Sequence, residues 1–153
     1  MNMSQLAINI TKHRDNFLIN LEESGWDCLI PFIDSNLFDD IIINLYYQFL
    51  DGHRFTPKFK DTLNAFTECP YKDMKVVFVG QDPYPQQDVA DGIAFSCSRT
   101  GKLQPSLRYI FKAINESQYD SLDPDLRRWA NQGVLMLNTA MTVQIGKIGS
   151  HYS

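Results

Sequence analysis

Three observations predict an α/β fold for this chain. Two unbroken apolar runs, Val76-Val77-Phe78-Val79 and Val134-Leu135-Met136-Leu137, have the continuous apolar character of parallel strands buried on both faces. The segment between them carries helical periodicity, so the order is strand, crossover, parallel strand. Each run also ends in polar residues, Gly80-Gln81-Asp82 after the first and Asn138 after the second. The rim past the carboxyl ends of such strands is where open α/β sheets bind ligands.

The elements follow in chain order. Residues 1–20 are weakly patterned, and no element is assigned there. Residues 36–50 read as a helix: Leu37, Ile41, Leu45 and Phe49 recur every four positions, with Ile42 and Tyr46 beside them. Ser35 or Asn36 caps its start, and Asp39 and Asp40 suit the positive end of its dipole. Thr56-Pro57 opens a second helix, with Phe59, Leu63 and Phe66 on one face. The first strand follows at about 75–79, then a polar loop, then a short extended piece, Gly92-Ile93-Ala94-Phe95-Ser96. Pro105-Ser106 starts a helix striped by Leu107, Ile110, Phe111 and Ile114. Asp123-Pro124 opens a short helix through Trp129, closed near Gly133, and the second strand spans 134–138.

Composition narrows the class. The 153 residues are 44% apolar and 12% aromatic, enough for the core of one domain. No apolar stretch approaches the ~20 residues of a membrane helix, and Met1 to Ile10 lacks the basic start and apolar block of a secretory signal. Cys28, Cys69 and Cys97 are widely spaced, and with His13, His53 and His151 they show no metal-ligand spacing. They read as reduced thiols of a cytosolic or nuclear protein. The net charge of −4 does not advertise nucleic-acid binding, but its distribution is uneven. Residues 15–51 carry eight acidic groups and no Lys or Arg, whereas residues 99–112 carry Arg99, Lys102, Arg108 and Lys112 and no acid. The later segment can present a basic face to phosphate, or both can be solvated faces without a partner.

The strand-end residues carry the chemistry. Asp82 can orient a water and stabilise a cationic transition state, or it can be a turn-forming Asp before Pro. Gln81 follows a glycine, so its backbone amide can approach a ligand closely. Tyr84 and Phe95 can stack on a base or block a substituent, or simply pack. Asn138 offers one acceptor and two donors, enough to read one edge of a pyrimidine, or it ties down its loop. Ser106, behind Pro105 at a helix start, suits either a phosphate contact or a cap.

Taken together these segments resemble the main uracil-DNA glycosylase family. Gly80-Gln81-Asp82-Pro83-Tyr84 is similar to its water-activating motif, and Asp91-Gly92-Ile93-Ala94-Phe95-Ser96 to its uracil-stacking segment. Pro105-Ser106-Leu107-Arg108-Tyr109-Ile110-Phe111-Lys112 is similar to its Pro-Ser loop and following helix. Trp129 to Asn138 resembles the segment with the uracil-reading Asn, and Gly149-Ser150-His151 a later one. The likeness runs in order over residues 24–153.

The resemblance implies a three-layer α/β/α fold with a central parallel sheet, incomplete at its C-terminal end. Residues 1–153 would be one domain, the N-terminal two-thirds of the family's. It implies that the enzyme releases uracil from single- or double-stranded DNA, leaving an abasic site, with no metal or organic cofactor. Asp82 is the implied catalytic group. Gln81, Tyr84, Phe95 and Asn138 are the implied uracil contacts, and Pro105 and Ser106 the implied backbone contacts. A monomer in the cytoplasm, or in the nucleus or host cytoplasm of a eukaryotic or viral source, is implied, with no membrane association. Pro85 stands where the family usually has His, a feature shared with poxviral members that also serve as polymerase processivity subunits. The Pro-rich loop is reduced to Pro105, and no residue matches the family's His-Pro-Ser-Pro segment or Leu loop. A weak or inactive glycosylase-like DNA-binding subunit with a polymerase partner is the alternative reading.

Overall fold

The computed structural model describes residues 3–114 and 123–152. Helix α1 (Met3–Glu23) leads through a 3₁₀ turn into the one-turn α2 (Ile30–Ile33) and α3 (Asn36–Leu50). A two-residue strand β1 (Phe55–Thr56), a 3₁₀ turn and α4 (Asn64–Glu68) precede strand β2 (Val76–Gly80). Then come α5 (Pro105–Ile114), α6 (Arg127–Ala130), β3 (Val134–Asn138) and β4 (Val143–Gln144). Strands β2 and β3 pair in parallel with Val76 opposite Val134 and Gly80 opposite Asn138. Strands β1 and β4 form a separate antiparallel pair, Phe55 with Gln144 and Thr56 with Val143. The architecture is therefore mixed helix and strand with two small sheets among the described residues.

Strand β3 runs between two apolar clusters. Consecutive strand residues point to opposite faces, and Leu135 joins one cluster while Met136 joins the other. The first gathers Phe17 and Leu21 of α1, Phe38 and Ile42 of α3, Trp26 and Cys69. Trp26 donates its indole N–H to the Cys69 carbonyl at 2.9 Å and meets Phe66 and Tyr71 edge to face at 5.0 Å. The second gathers Leu107 and Phe111 of α5 with Val89, Ile93, Cys97 and Leu126. Phe111 stands edge to face with Trp129 at 5.6 Å. All three cysteines are free thiols, Cys28 exposed and the other two buried. No helix among the described residues is long and apolar enough to cross a membrane.

Helix α3 has the predicted bounds, and Ser35 caps it, its hydroxyl accepting the Phe38 N–H at 3.3 Å. Its buried stripe is different: Phe38, Ile42 and Leu45 face the core, while Leu37, Ile41 and Phe49 are exposed. Both stripes have helical spacing, and the position of α1 and α2 selects one. The predicted helix from Pro57 is broken, because Lys58 has extended backbone (φ −57°, ψ 140°) and Leu63 leaves the helical region (φ −102°, ψ 14°). Only the 3₁₀ turn Phe59–Asp61 and α4 follow. The predicted extended piece at Gly92–Ser96 is a chain of bends and turns, because the Asp91 carboxylate captures the backbone that a strand would need. The short helix near Asp123 is confined to α6.

Helix α1 fills the region where no element was assigned. Its signal was a narrow stripe, with Ile10, Phe17 and Leu21 among its core contacts. The expected burial of β2 on both faces also fails: Val76 to Val79 are between 38% and 58% exposed. Among the described residues β2 has one strand neighbour, and the helices gather on β3 instead.

The α3 assignment is checked by urea denaturation. Ile42→Ala is expected to lower stability by about 2–5 kcal/mol, while Leu37→Ala, at a site 61% exposed, changes it by only about 0.5 kcal/mol.

Candidate active site at the paired strand ends

Parallel registry sets the geometry of the site. Because Gly80 lies opposite Asn138, the polar residues after both strands emerge side by side. The two exits are then laced together. Thr139 N–H donates to the Gly80 carbonyl and Ala140 N–H to the Gln81 carbonyl, both at 3.0 Å. The Thr139 hydroxyl adds a bond to the Gln81 carbonyl at 2.7 Å. The Gln81 side chain stays exposed while its backbone is fixed.

Gly80 is buried with no space beside it. A Cβ there would collide with Asn138 Oδ1 and lie 3.1 Å from the Phe95 ring. The absence of a side chain is what lets the Asn138 amide and the Phe95 ring converge over the strand end. The Phe95 ring is also held edge to face by Phe78, centroids 5.4 Å apart and planes at 88°.

Asn138, Phe95 and Tyr84 line one cleft with Thr62, Pro83 and Met141. The cleft is narrow: the room it leaves for solvent is about 10 Å³, close to that of one water molecule. Burial pushes the Tyr84 phenol well above its ordinary pKa, the Leu107 backbone pulling weakly the other way, so the ring enters the cleft as a neutral wall.

Asp82 sits half-buried at the rim, and its Oδ2 accepts the Gly149 N–H at 2.6 Å. That amide comes from the turn after β4. The turn is fastened by Gln144 N–H to Ser150 Oγ at 2.8 Å and by Thr142 Oγ1 to His151 Nδ1 at 2.8 Å. His151 Nε2 meets Gln48 Oε1 of α3 at 3.2 Å. Burial lowers the His151 pKa, which favours the neutral ring between these two partners. The turn after β4 thus orients a carboxylate 67 residues before its Gly149 in sequence.

The structure therefore gathers Tyr84, Phe95 and Asn138 in the cleft and puts Asp82 beside Pro83 at its edge. It does not bring Pro105 or Ser106 there; they are exposed at the start of α5, with Leu107 as the buried anchor behind them. Of the basic run, Arg99 is engaged with Asp61 in an ion pair. Sequence reading missed Thr139, Met141 and the Gly149 amide. Only the Gly149-Ser150-His151 segment offered a signal for the last. Among the described residues no three His, Cys, Asp or Glu side chains gather as metal ligands.

Comparison with known proteins shows the family of the chain. The family model described as Uracil DNA glycosylase superfamily matches residues 66–151, which hold both strand ends. The uracil-DNA glycosylase of Borreliella burgdorferi (strain ZS7) is 41% identical over 137 residues, covering 87% of this chain and 61% of that protein. That of Acinetobacter baumannii (strain ATCC 17978) is 38% identical over 135 residues, covering 87% of this chain and 57% of that protein. The crystal structure of mimivirus uracil-DNA glycosylase superposes with a TM-score of 0.72 at 25% identity, over 84% of this chain and 50% of that one. The chain thus spans about 60% of the length of these curated relatives. With more than half its length matched by the family model, including every cleft-lining residue but Thr62, the chain belongs to the Uracil DNA glycosylase superfamily.

Proposed function

We propose that the chain carries the uracil-excising site of a DNA-repair glycosylase, acting on single- or double-stranded DNA. The observation that supports this most is the pairing of Gly80 with Asn138, which sets an amide and two aromatic rings around one cleft with a carboxylate at its rim. In this reading residues 1–153 form one domain of a three-layer α/β/α family fold. Its place is beside DNA, which in a cell without a nucleus is the cytoplasm.

The target nucleotide rotates out of the stack and its base enters the cleft. The Phe95 ring stacks on the base. Asn138 donates from Nδ2 to the uracil 4-carbonyl and accepts the ring N–H at Oδ1; cytosine presents the reverse polarity at both positions and is refused. Tyr84 stands where thymine carries its methyl. The Gln81 backbone contacts a uracil carbonyl, and Ser106, following Pro105, holds a phosphate on the exposed start of α5. As the C1′–N1 bond breaks, its electron pair leaves with uracil and the sugar becomes cationic. The Asp82 carboxylate stabilises that cation and directs a water to C1′, taking up its proton as the new C–O bond forms. The proton taken up by Asp82 then passes through solvent to the uracil anion, so that free uracil and an abasic site result, and none of these steps calls on a metal or organic cofactor.

The first test is uracil release from a single-stranded oligonucleotide by the purified chain, with a thymine-containing control. Asp82→Asn is expected to lose about 10²–10⁴-fold in release while DNA binding, measured by anisotropy, is kept. Unchanged turnover removes Asp82 from the mechanism. Tyr84→Ala is expected to raise release from the thymine control. Gly80→Ala, which drives a methyl into Asn138 and Phe95, is expected to lower kcat/KM at least about tenfold; an active Gly80→Ala variant would mean that these groups do not contact the base.

A further inference from the structure

Asp91 is fully buried and lies outside the lining of the cleft. A buried carboxyl needs partners, and all of those that hydrogen-bond to it come from one turn. Oδ1 accepts the Ile93 N–H at 3.2 Å. Oδ2 accepts the Ser96 hydroxyl at 2.6 Å and the Ser98 N–H at 3.2 Å, and a short bond from the Ser98 hydroxyl. Behind it Arg127 approaches Oδ2 at 4.0 Å and donates to Ser98 Oγ at 3.2 Å and Glu68 at 3.0 Å. Burial works against the Arg127 charge, but Glu68, Asp125 and Asp91 outweigh it and hold its pKa above the ordinary value.

Phe95 lies inside this turn, between anchored Ile93 and anchored Ser96. Its φ is +64°, in the left-handed region that a β-carbon disfavours. Such a conformation persists where the surroundings over-determine it. Here the neighbouring Ala94 N–H is fixed to the Met136 carbonyl of β3 at 3.0 Å. The Asp91 carboxyl fixes the residues on both sides.

We propose that Asp91 is a positioning residue that imposes the left-handed backbone of Phe95 and so places its ring across Gly80 and Asn138, where the base stacks; this rests on the glycosylase reading above. In Asp91→Asn an amide N–H₂ replaces one acceptor oxygen. Facing the Ser98 N–H, it would set donor against donor, the turn would relax toward ordinary φ, and the ring would leave the strand end.

A double-mutant cycle separates this role from general support of the core. In the otherwise unaltered chain, Asp91→Asn is expected to lower kcat/KM for uracil release about 10²-fold, the effect of a displacement of about 1 Å. In a Phe95→Leu background, with no ring to place, it is expected to change kcat/KM less than about threefold, the scale of ordinary additivity error. Equal losses in both backgrounds overturn the proposal. A second readout needs no activity: nuclear Overhauser contacts between the Phe95 and Phe78 rings should vanish in Asp91→Asn while those between Trp26 and Phe66 persist. Unchanged Phe95–Phe78 contacts also overturn it. If Asp91→Asn fails to fold, Ser98→Ala decides by the same ring contacts, since it removes one donor to the carboxyl and is expected to weaken them. A wild-type chain that releases no uracil while its ring contacts respond as stated would sink the glycosylase reading and leave the placement of Phe95 by Asp91 standing.

Discussion

Parallel pairing of β2 with β3 in one register is the constraint from which the site follows. Five residue pairs, from Val76–Val134 to Gly80–Asn138, set the two strand ends level. A parallel ladder cannot slip by a single residue without turning every side chain of one strand to the other face. Here such a slip would exchange Leu135 and Met136 between two apolar clusters that are shaped for them. The core therefore fixes the register, and the register fixes which polar residues meet at the rim. Stability and site geometry share one cause.

At the rim, the governing quantity is space. Gly80 gives up a side chain so that an amide oxygen and an aromatic ring can occupy the volume a methyl would fill. The hydrogen bonds that lace 80–81 to 139–140 prevent the two exits from spreading to relieve that crowding. A site built this way is organised before any ligand arrives, which is the condition under which dipoles and rings contribute most to a reaction.

Two further loops reach this rim from opposite directions. The turn after β4 brings the Gly149 amide to Asp82 and is itself fastened to α3 through His151 and Gln48. The 91–98 turn brings Phe95 and is fastened through Asp91 and Arg127 to Glu68 at the end of α4. Both loops are held by polar groups with definite partners, the 91–98 turn also by packing of Ile93 and Cys97 in the core, which suits segments that must hold one side chain at one angle. By contrast β2, which supplies Gly80, keeps much of its apolar surface exposed; its place is set by the ladder to β3 more than by burial.

Features that depend on near neighbours in the chain could be read from the order of amino acids. The two strands, the bounds of α3, its Ser35 cap and the start of α5 at Pro105 were all legible, because period, capping and proline geometry are local. So were the positions of Asp82 and Asn138 at the strand ends, because polar residues there mark the rim of an α/β sheet. Other features depend on contacts between residues far apart in the chain. Either stripe of α3 could have been buried until α1 and α2 were in place. Gly92–Ser96 has the composition of a strand, but one buried carboxylate turns it into a loop. The bond from Gly149 to Asp82 joins positions that no local pattern connects. Local periodicity specifies the elements, whereas the choice of face, the conformation of a turn and the partner of a carboxylate are settled by competition among distant contacts, and that competition is resolved only when the chain is folded.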